Sequence, residues 1–93
     1  MTDDRRAWSV QLSPGAIRAL DELPPKVATA VVEFITGTLP TNPRQISKPL
    51  RYELSGWHVA RRGDYRVTFR ILDDDHVVLI GRIEHRAHVY RRR

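Results

Sequence analysis

Residues 60–71, ARRGDYRVTFRI, constrain the fold of this chain more than any other segment. After Gly63 and Asp64, apolar and polar side chains alternate with the period of two that is typical of a strand with one buried face. A Gly-Asp pair between two such segments predicts a two-residue hairpin loop, in which Arg62 pairs with Tyr65. The pairing predicts a cationic face of the sheet, formed by Arg61, Arg66, Thr68 and Arg70. The opposite, apolar face is formed by Tyr65, Val67, Phe69 and Ile71.

The other segments predict a small α+β domain with the element order β-α-α-β-β-β, in which a helical hairpin packs on one face of an antiparallel-rich sheet. Residues 7–12 alternate as a strand. Ser13 then has the position of an N-cap, and Pro14 that of the first helical residue. The Pro-Pro pair at 24–25 ends this helix and starts a second one, which ends near Gly37.

Apolar residues at helical spacing predict which side of each helix is buried. In the first helix these residues are Ala16, Ile17, Leu20 and Leu23, and in the second they are Val27, Val31, Phe34 and Ile35, with Ala28 and Val32 widening the stripe. The Pro-rich segment 40–56 predicts a surface loop in which Leu50 and Leu54 reach the core.

Three further strands are predicted at about 57–62, 65–72 and 76–83, joined in a meander. Residues 73–75, three consecutive aspartates, form the turn between the last two strands. The last strand is apolar on both faces, which favours a central position in the sheet. The remaining residues, 84–93, are expected to form a short tail with one helical turn.

A chain of 93 residues is long enough for one modest core, and we expect a single domain over residues 1–93. It contains no apolar run of the roughly 20 residues that span a membrane, and acidic residues stand where a signal peptide begins. The chain has no cysteine, which excludes disulfides and thiolate metal sites and favours a reducing cytoplasm. The sequence contains no strong metal or cofactor motif, and we expect neither group.

Basic residues are concentrated in the second half of the chain. The net charge is +5, and residues 44–93 carry twelve of the 16 basic residues but six of the 11 acidic ones. This distribution predicts a polyanion or an acidic protein as partner. Alternatively, the charged residues simply occupy the solvent-exposed face of an antiparallel sheet, where such residues ordinarily lie. Close to the last strand stand four residues able to transfer protons or to bind a nucleotide, namely His85, Arg86, His88 and Tyr90.

Two segments, KPLRYELSGWHVARRGDYRVTFRI at 48–71 and IGRIEHRAHVYR at 80–91, resemble the RelE/ParE family of bacterial type II toxins, and most closely its RelE-like branch of actinobacterial type. The resemblance covers the whole chain, because the family also begins with a strand and a helical hairpin. RelE-like toxins enter the ribosomal A site and cut the messenger RNA there without a metal. The resemblance therefore implies a cytoplasmic, ribosome-dependent endoribonuclease that inhibits translation, with a RelE/ParE-like, microbial ribonuclease-like fold.

The same resemblance implies roles for individual residues. Phosphate binding and charge stabilisation are expected from Arg61, Arg66 and Arg86. Tyr90 would orient or stack the nucleotide, and His85 or His88 would transfer protons. Further contacts with RNA are expected from His58, Arg62 and Arg70, and from Lys48 and Arg51, although a solvated surface position is slightly favoured for these last two.

The chain departs from the RelE pattern before the hairpin. The RelE type has two lysines on that strand, where this chain has residues such as His58 and Ala60. Two alternatives therefore stay open: a ParE-like toxin that acts on DNA gyrase, and an inactive module that only binds its antitoxin. As partners, the resemblance implies a cognate antitoxin of the RelB or Phd/YefM type, the ribosome and messenger RNA. It implies no membrane partner, and no direct binding of DNA without the antitoxin.

Overall fold

The computed structural model describes residues 7–85, and within them a five-stranded sheet forms the centre of the molecule. Its strands are β1 (Ser9–Leu12), β2 (Lys48–Pro49), β3 (Trp57–Arg62), β4 (Tyr65–Leu72) and β5 (Val77–His85), in the spatial order β1-β5-β4-β3-β2. β1 runs parallel to β5, and the other neighbours are antiparallel. The predicted α+β class and the meander of β3, β4 and β5 are confirmed, and β5 has the predicted central position.

Two helices, α1 (Pro14–Glu22) and α2 (Pro25–Glu33), follow β1 and are joined at the predicted Pro-Pro pair. α2 continues into a π-helical turn, Phe34–Thr38, and a 3₁₀ turn, Leu39–Thr41, so that the chain stays helical beyond the predicted end at Gly37. No helix within residues 7–85 is long and apolar enough to cross a membrane.

Both helices cover the same face of the sheet, which we call the helix-side face. The core lies between the helices and this face, and its buried members are Ala16, Val31, Phe34, Ile35, Leu39, Ala60, Val67, Phe69, Val78, Ile80 and Ile83. The predicted apolar face of β4 is thereby confirmed for Val67 and Phe69, both fully buried. Burial of these side chains is the main source of stability, at roughly 25 cal/mol for each Å² of apolar surface removed from water.

Ser13 joins α1 to β5 through three hydrogen bonds. Its Oγ accepts from the backbone N–H of Ala16 at 3.0 Å, which confirms the predicted N-cap, and donates to the carbonyl of Gly81 at 3.0 Å. Its own N–H donates to the carbonyl of Ile80 at 2.9 Å. A single side chain therefore caps the helix and fixes its start against the middle of the sheet.

β5 contains a bulge at Gly81. Thr68 pairs with Arg82 and the next residue, Phe69, pairs with Ile80, so Gly81 has no partner in β4. An extra residue of this kind reverses the alternation of faces along the strand. Ile80 and Ile83 can consequently both point into the core, although they are an odd number of residues apart.

The structure corrects the sequence prediction in three places on the surface. Ile17 is 50% exposed and Val32 40%, so both helices bury a narrower stripe than predicted. Leu54 is 53% exposed and lies in a 3₁₀ turn, Tyr52–Leu54, whose first residue, Tyr52, has a positive φ of 61°. Leu50 is half-buried, but it is not among the residues that pack against the core, contrary to the prediction.

Two further corrections concern the strands. β2 was not predicted, because a two-residue strand that contains Pro49 has no periodic pattern and is tolerated only at a sheet edge. β5 continues through Glu84 and His85, which were assigned to the tail. The predicted C-terminal helical turn falls otherwise on residues 86–93, outside the described residues.

Replacing Ser13 by alanine should lower the free energy of unfolding by about 1 to 2 kcal/mol, because the cap of α1 and the bond to the Gly81 carbonyl are lost together. Urea unfolding followed by circular dichroism measures this change. The control is Ser9→Ala on the exposed side of β1, which should stay within about 0.5 kcal/mol of the original protein. Equal stability of the two variants would contradict the role given to Ser13.

Candidate functional site

Strand pairing places basic side chains together on the face opposite the helices, which we call the basic face. Arg61 and Arg66 are directly opposite each other, as predicted, and Arg70 lies on the same side of β4. Arg82 joins them because it pairs with Thr68, and Lys48 joins them from the edge strand because it pairs with Val59. The basic face thus comprises Lys48, Arg61, Arg66, Arg70 and Arg82 on four neighbouring strands.

Glu84 is the carboxylate that lies among these cations. It pairs with Arg66 across β4 and β5, and its Oε1 is 3.3 Å from a guanidinium nitrogen of Arg66. Its other oxygen is 3.5 Å from Arg82. Since these three side chains are partly exposed, the ion pairs contribute little to stability. Their main effect is to hold the Glu84 carboxylate beside Arg66 and Arg82.

Arg61 and Arg70 have no acidic partner among residues 7–85. Arg61 also lies opposite Arg66, and like charges in that position repel by some tenths of a kcal/mol. An anion bound between the two arginines would relieve this repulsion and could accept hydrogen bonds from both guanidinium groups. The geometry therefore favours a phosphate or carboxylate at this point of the face.

Trp57 covers the centre of the basic face. It pairs with Arg70, whose guanidinium carbon lies 5.5 Å from the centre of the indole ring. The ring also reaches across β4 to the bulge, where a Cβ on Gly81 would come within 2.5 Å of the indole. Gly81 therefore provides space for the indole, which contacts the bulge and lies under the guanidinium of Arg70.

Three residues that the sequence assigned to the site lie on the helix-side face instead. His85 pairs with Tyr65, and their rings are 6.1 Å apart. His58 pairs with Phe69, and the guanidinium of Arg62 lies 5.8 Å from the ring of Phe34. Their positions place a sheet between these side chains and the arginines of the basic face. The structure therefore does not bring these three residues together with Arg61 and Arg66.

The remaining assigned residues have varied positions. Arg51 is exposed next to β2, and the structure shows no contact that brings it to the basic face. Arg86, His88 and Tyr90 lie outside the described residues, so their predicted roles are untested. In the part of the chain that the structure describes, no group of three or more potential metal ligands is present.

The sequence contained signals for the residues that were missed. Trp57 is an even number of residues from Arg61 on the same predicted strand, so alternation already placed both on one face. An isolated glycine inside a strand pattern, such as Gly81, is typical of a bulge. With the bulge recognised, the same alternation would have placed Arg82 and Glu84 beside Thr68 and Arg66.

A second charged cluster lies near His58. Arg44 makes a two-pronged ion pair with Asp73, with N–O distances of 2.8 and 3.0 Å, and this pair connects the loop after α2 to the turn before β5. Hydrogen bonding to Arg44 lowers the pKa of Asp73. His58 stacks on Phe69, and its buried Nδ1 has no hydrogen-bond partner among the described residues. Burial, and secondarily the charge of Arg44, lower the pKa of His58.

Comparison with known proteins identifies the class to which this fold and site belong. The family model for the ParE toxin of the type II toxin–antitoxin system parDE matches residues 10–90. Among curated proteins, the toxin RelG of Mycobacterium tuberculosis is 47% identical over 85 residues, covering 91% of this chain and 98% of that toxin. The toxin RelE of the same organism is 47% identical over 91 residues, covering 98% of this chain and 93% of that toxin.

Solved structures agree with this relationship. The toxin–antitoxin complex RelBE2 of Mycobacterium tuberculosis contains a chain that matches with a TM-score of 0.85 and 46% identity, covering 87% of this chain and 93% of the other. A chain in the intact RelBE complex of E. coli matches with a TM-score of 0.70 at 17% identity, which shows the shared fold. The chain belongs to the RelE/ParE family of type II toxin–antitoxin toxins. Within it, the chain is of the RelE-like, actinobacterial type.

The lowered pKa of His58 predicts a loss of stability in mild acid. The unfolded chain binds a proton near pH 6.5 more readily than the folded chain does, so the free energy of unfolding should fall as the pH drops below that value. Replacing His58 by phenylalanine keeps a ring against Phe69 and removes this titration. The decrease between pH 7.5 and 5 should then be smaller in the variant, by less than about 1 kcal/mol because the histidine is partly exposed.

Urea unfolding at the two pH values provides the measurement. Titration of Asp73 does not interfere, since its lowered pKa affects stability only at more acidic pH. The same decrease in both proteins would show that His58 does not carry the pH dependence.

Proposed function

We propose that this toxin is a ribosome-dependent endoribonuclease that cuts messenger RNA in the ribosomal A site and so inhibits translation. The observation that carries the proposal is the arrangement of Arg61, Arg66 and Glu84 side by side on the face that the helices leave uncovered. Cleavage of RNA by its own 2′-hydroxyl needs a proton acceptor and cations beside the phosphate. The basic face presents both.

In the proposed reaction, the 2′-hydroxyl gives its proton to the Glu84 carboxylate and attacks the adjacent phosphorus. The bond from phosphorus to the 5′-oxygen of the next nucleotide breaks, and that oxygen must receive a proton. Arg61 and Arg66 stabilise the additional negative charge on the phosphate. The group that protonates the leaving oxygen is expected in the segment with His88 and Tyr90, which lies outside the described residues.

Glu84 replaces His85 in this scheme for a geometric reason. The two residues are neighbours in β5 and point to opposite faces, Glu84 towards Arg66 and His85 towards Tyr65. A proton acceptor must come within about 3 Å of the hydroxyl group that it deprotonates. A group on the helix-side face cannot meet that condition for RNA bound on the basic face.

We also propose a cognate antitoxin of the RelB or Phd/YefM type as the regulatory partner. Its support is that the matching structures from Mycobacterium tuberculosis and from the archaeon Pyrococcus horikoshii are described as complexes of RelE with RelB or of RelBE. The toxin would act in the cytoplasm, where ribosomes and messenger RNA are present. Binding of DNA would be a property of the antitoxin.

Poisoning of DNA gyrase is the second candidate, because the family model that matches the chain is described as ParE toxin. This activity would use the same fold without a nuclease site. A toxin that leaves ribosome-bound messenger intact but stabilises cleaved DNA in the presence of gyrase would support it.

Cleavage should depend on Arg61 far more than on its neighbour Arg62. We expect Arg61→Ala and Arg66→Ala each to lower the rate of cleavage about a hundredfold, the effect of removing one preorganised group that stabilises charge. Arg62→Ala is the matched control, because Arg62 lies on the other face over Phe34. The assay adds purified toxin to ribosomes programmed with a defined messenger and maps the 3′ ends by primer extension.

Thermal unfolding serves as the control that each of these variants is folded. An intact messenger with the folded original protein would refute the nuclease proposal. Equal losses in Arg61→Ala and Arg62→Ala would separate the activity from the basic face.

The variant Glu84→Gln distinguishes a proton acceptor from a simple counter-ion. If Glu84 accepts the proton, cleavage should fall about a hundredfold while RNA binding stays equal or becomes tighter, because one negative charge is removed from the basic face. Single-turnover cleavage and binding of 2′-O-methyl RNA measure the two effects separately. Undiminished cleavage would assign Glu84 a purely structural role.

A further inference from the structure

We propose that Trp57 and Arg70 form a stacking platform for one nucleobase of a single-stranded RNA, next to the phosphate site on the basic face. The inference rests on the proposed binding of RNA to this face and extends it to a residue, Trp57, for which the comparisons and the sequence give no role. The nucleobase would lie on the outer side of the Arg70 guanidinium, which the indole of Trp57 supports from below.

The first argument is the layered geometry. The indole contacts the bulge at Gly81, in the space that the missing Cβ leaves free. The guanidinium of Arg70 lies over the ring at 5.5 Å from its centre. A planar cation held on an aromatic ring presents a second flat surface, and bases stack on arginine planes as they do on aromatic rings.

The second argument is the availability of Arg70. It is exposed, and among residues 7–85 it has no carboxylate partner, whereas Arg66 and Arg82 are paired with Glu84. Within residues 7–85, Arg70 lies over an aromatic ring and has no ion pair, so its hydrogen-bond donors are available. These donors can contact the edge of a base or a sugar oxygen while the plane of the group stacks.

The third argument is position. Arg66 and Arg70 lie on the same side of β4, four residues and therefore about 13 Å apart. Lys48, on the edge strand beyond Val59, extends the positive charge of the same face. A short single strand whose phosphate lies at Arg61 and Arg66 would thus bring a neighbouring base over the platform, and the charge of the face suits its backbone.

The test compares a short single-stranded RNA, 2′-O-methylated to prevent cleavage, with the same strand carrying abasic positions. Both are labelled and titrated with purified toxin, and binding is followed by fluorescence anisotropy. The platform predicts that the original protein binds the intact strand about tenfold more tightly than the abasic strand. A protein that holds phosphates only would bind both strands equally.

Two variants locate the effect. Arg70→Lys keeps the charge and removes the plane, and it should lower the preference for the intact strand from about tenfold to nearly equal binding of the two strands. Trp57→Leu should also abolish the preference, because the guanidinium loses its support. The matched control is Arg18→Lys, an exposed residue of α1, which should retain the full preference. Thermal unfolding checks the folding of each variant, and Arg70→Lys, on the surface, decides the case if Trp57→Leu does not fold.

The platform is refuted if Arg70→Lys keeps the original preference, or if intact and abasic strands bind the original protein equally. Binding of polyglutamate with no discrimination between the two RNA strands would identify a surface for an acidic protein and would also refute it. Cleavage of ribosome-bound messenger by a protein without base preference would leave the nuclease proposal standing and the platform wrong. Base preference without cleavage would support the platform and refute the nuclease proposal.

Discussion

The bulge at Gly81 determines what both faces of the sheet contain. Up to Ile80, the even-numbered residues of β5 point to the helices, and uninterrupted alternation would send Arg82 and Glu84 into the core. The unpaired glycine reverses this alternation, so that Ile83 is buried and the two charged residues join the basic face. The carbonyl of Gly81 also accepts a hydrogen bond from the hydroxyl of Ser13. The absence of a Cβ on Gly81 leaves room for the indole of Trp57.

The distribution of charged side chains between the two faces of the sheet follows from the bulge at Gly81 and from the hairpin of β3 and β4. Residues that are neighbours in the sequence point to opposite faces and therefore contact different parts of the molecule, as Arg61 and Arg62 do in β3 and Glu84 and His85 do in β5. The guanidinium of Arg62 lies over the ring of Phe34 at the edge of the core. Arg61 stays free of acidic partners among residues 7–85, and its repulsion by Arg66 favours an anion between them.

Much of the fold could be predicted from the sequence because its local signals agree. The Gly-Asp loop determined the register of β3 and β4, and Ser13 with Pro14 marked the start of α1. β2 could not be predicted in this way, since two residues have no period and their pairing with β3 is a tertiary contact. The site was predicted less well than the fold. A prediction that leaves out the bulge places His85 on the basic face. The one extra residue at Gly81 reverses the alternation, so His85 lies on the helix-side face.

The account depends on RNA binding to one face of the sheet, and arginine side-chain NMR tests this most directly. The Nε–Hε signals of Arg61, Arg66 and Arg70 would be followed during titration of the purified toxin with 2′-O-methyl RNA. The account predicts large shifts for these three signals and little change for Arg62, which lies over Phe34 on the opposite face. Shifts at Arg62 with unchanged signals from Arg61 and Arg66 would contradict it.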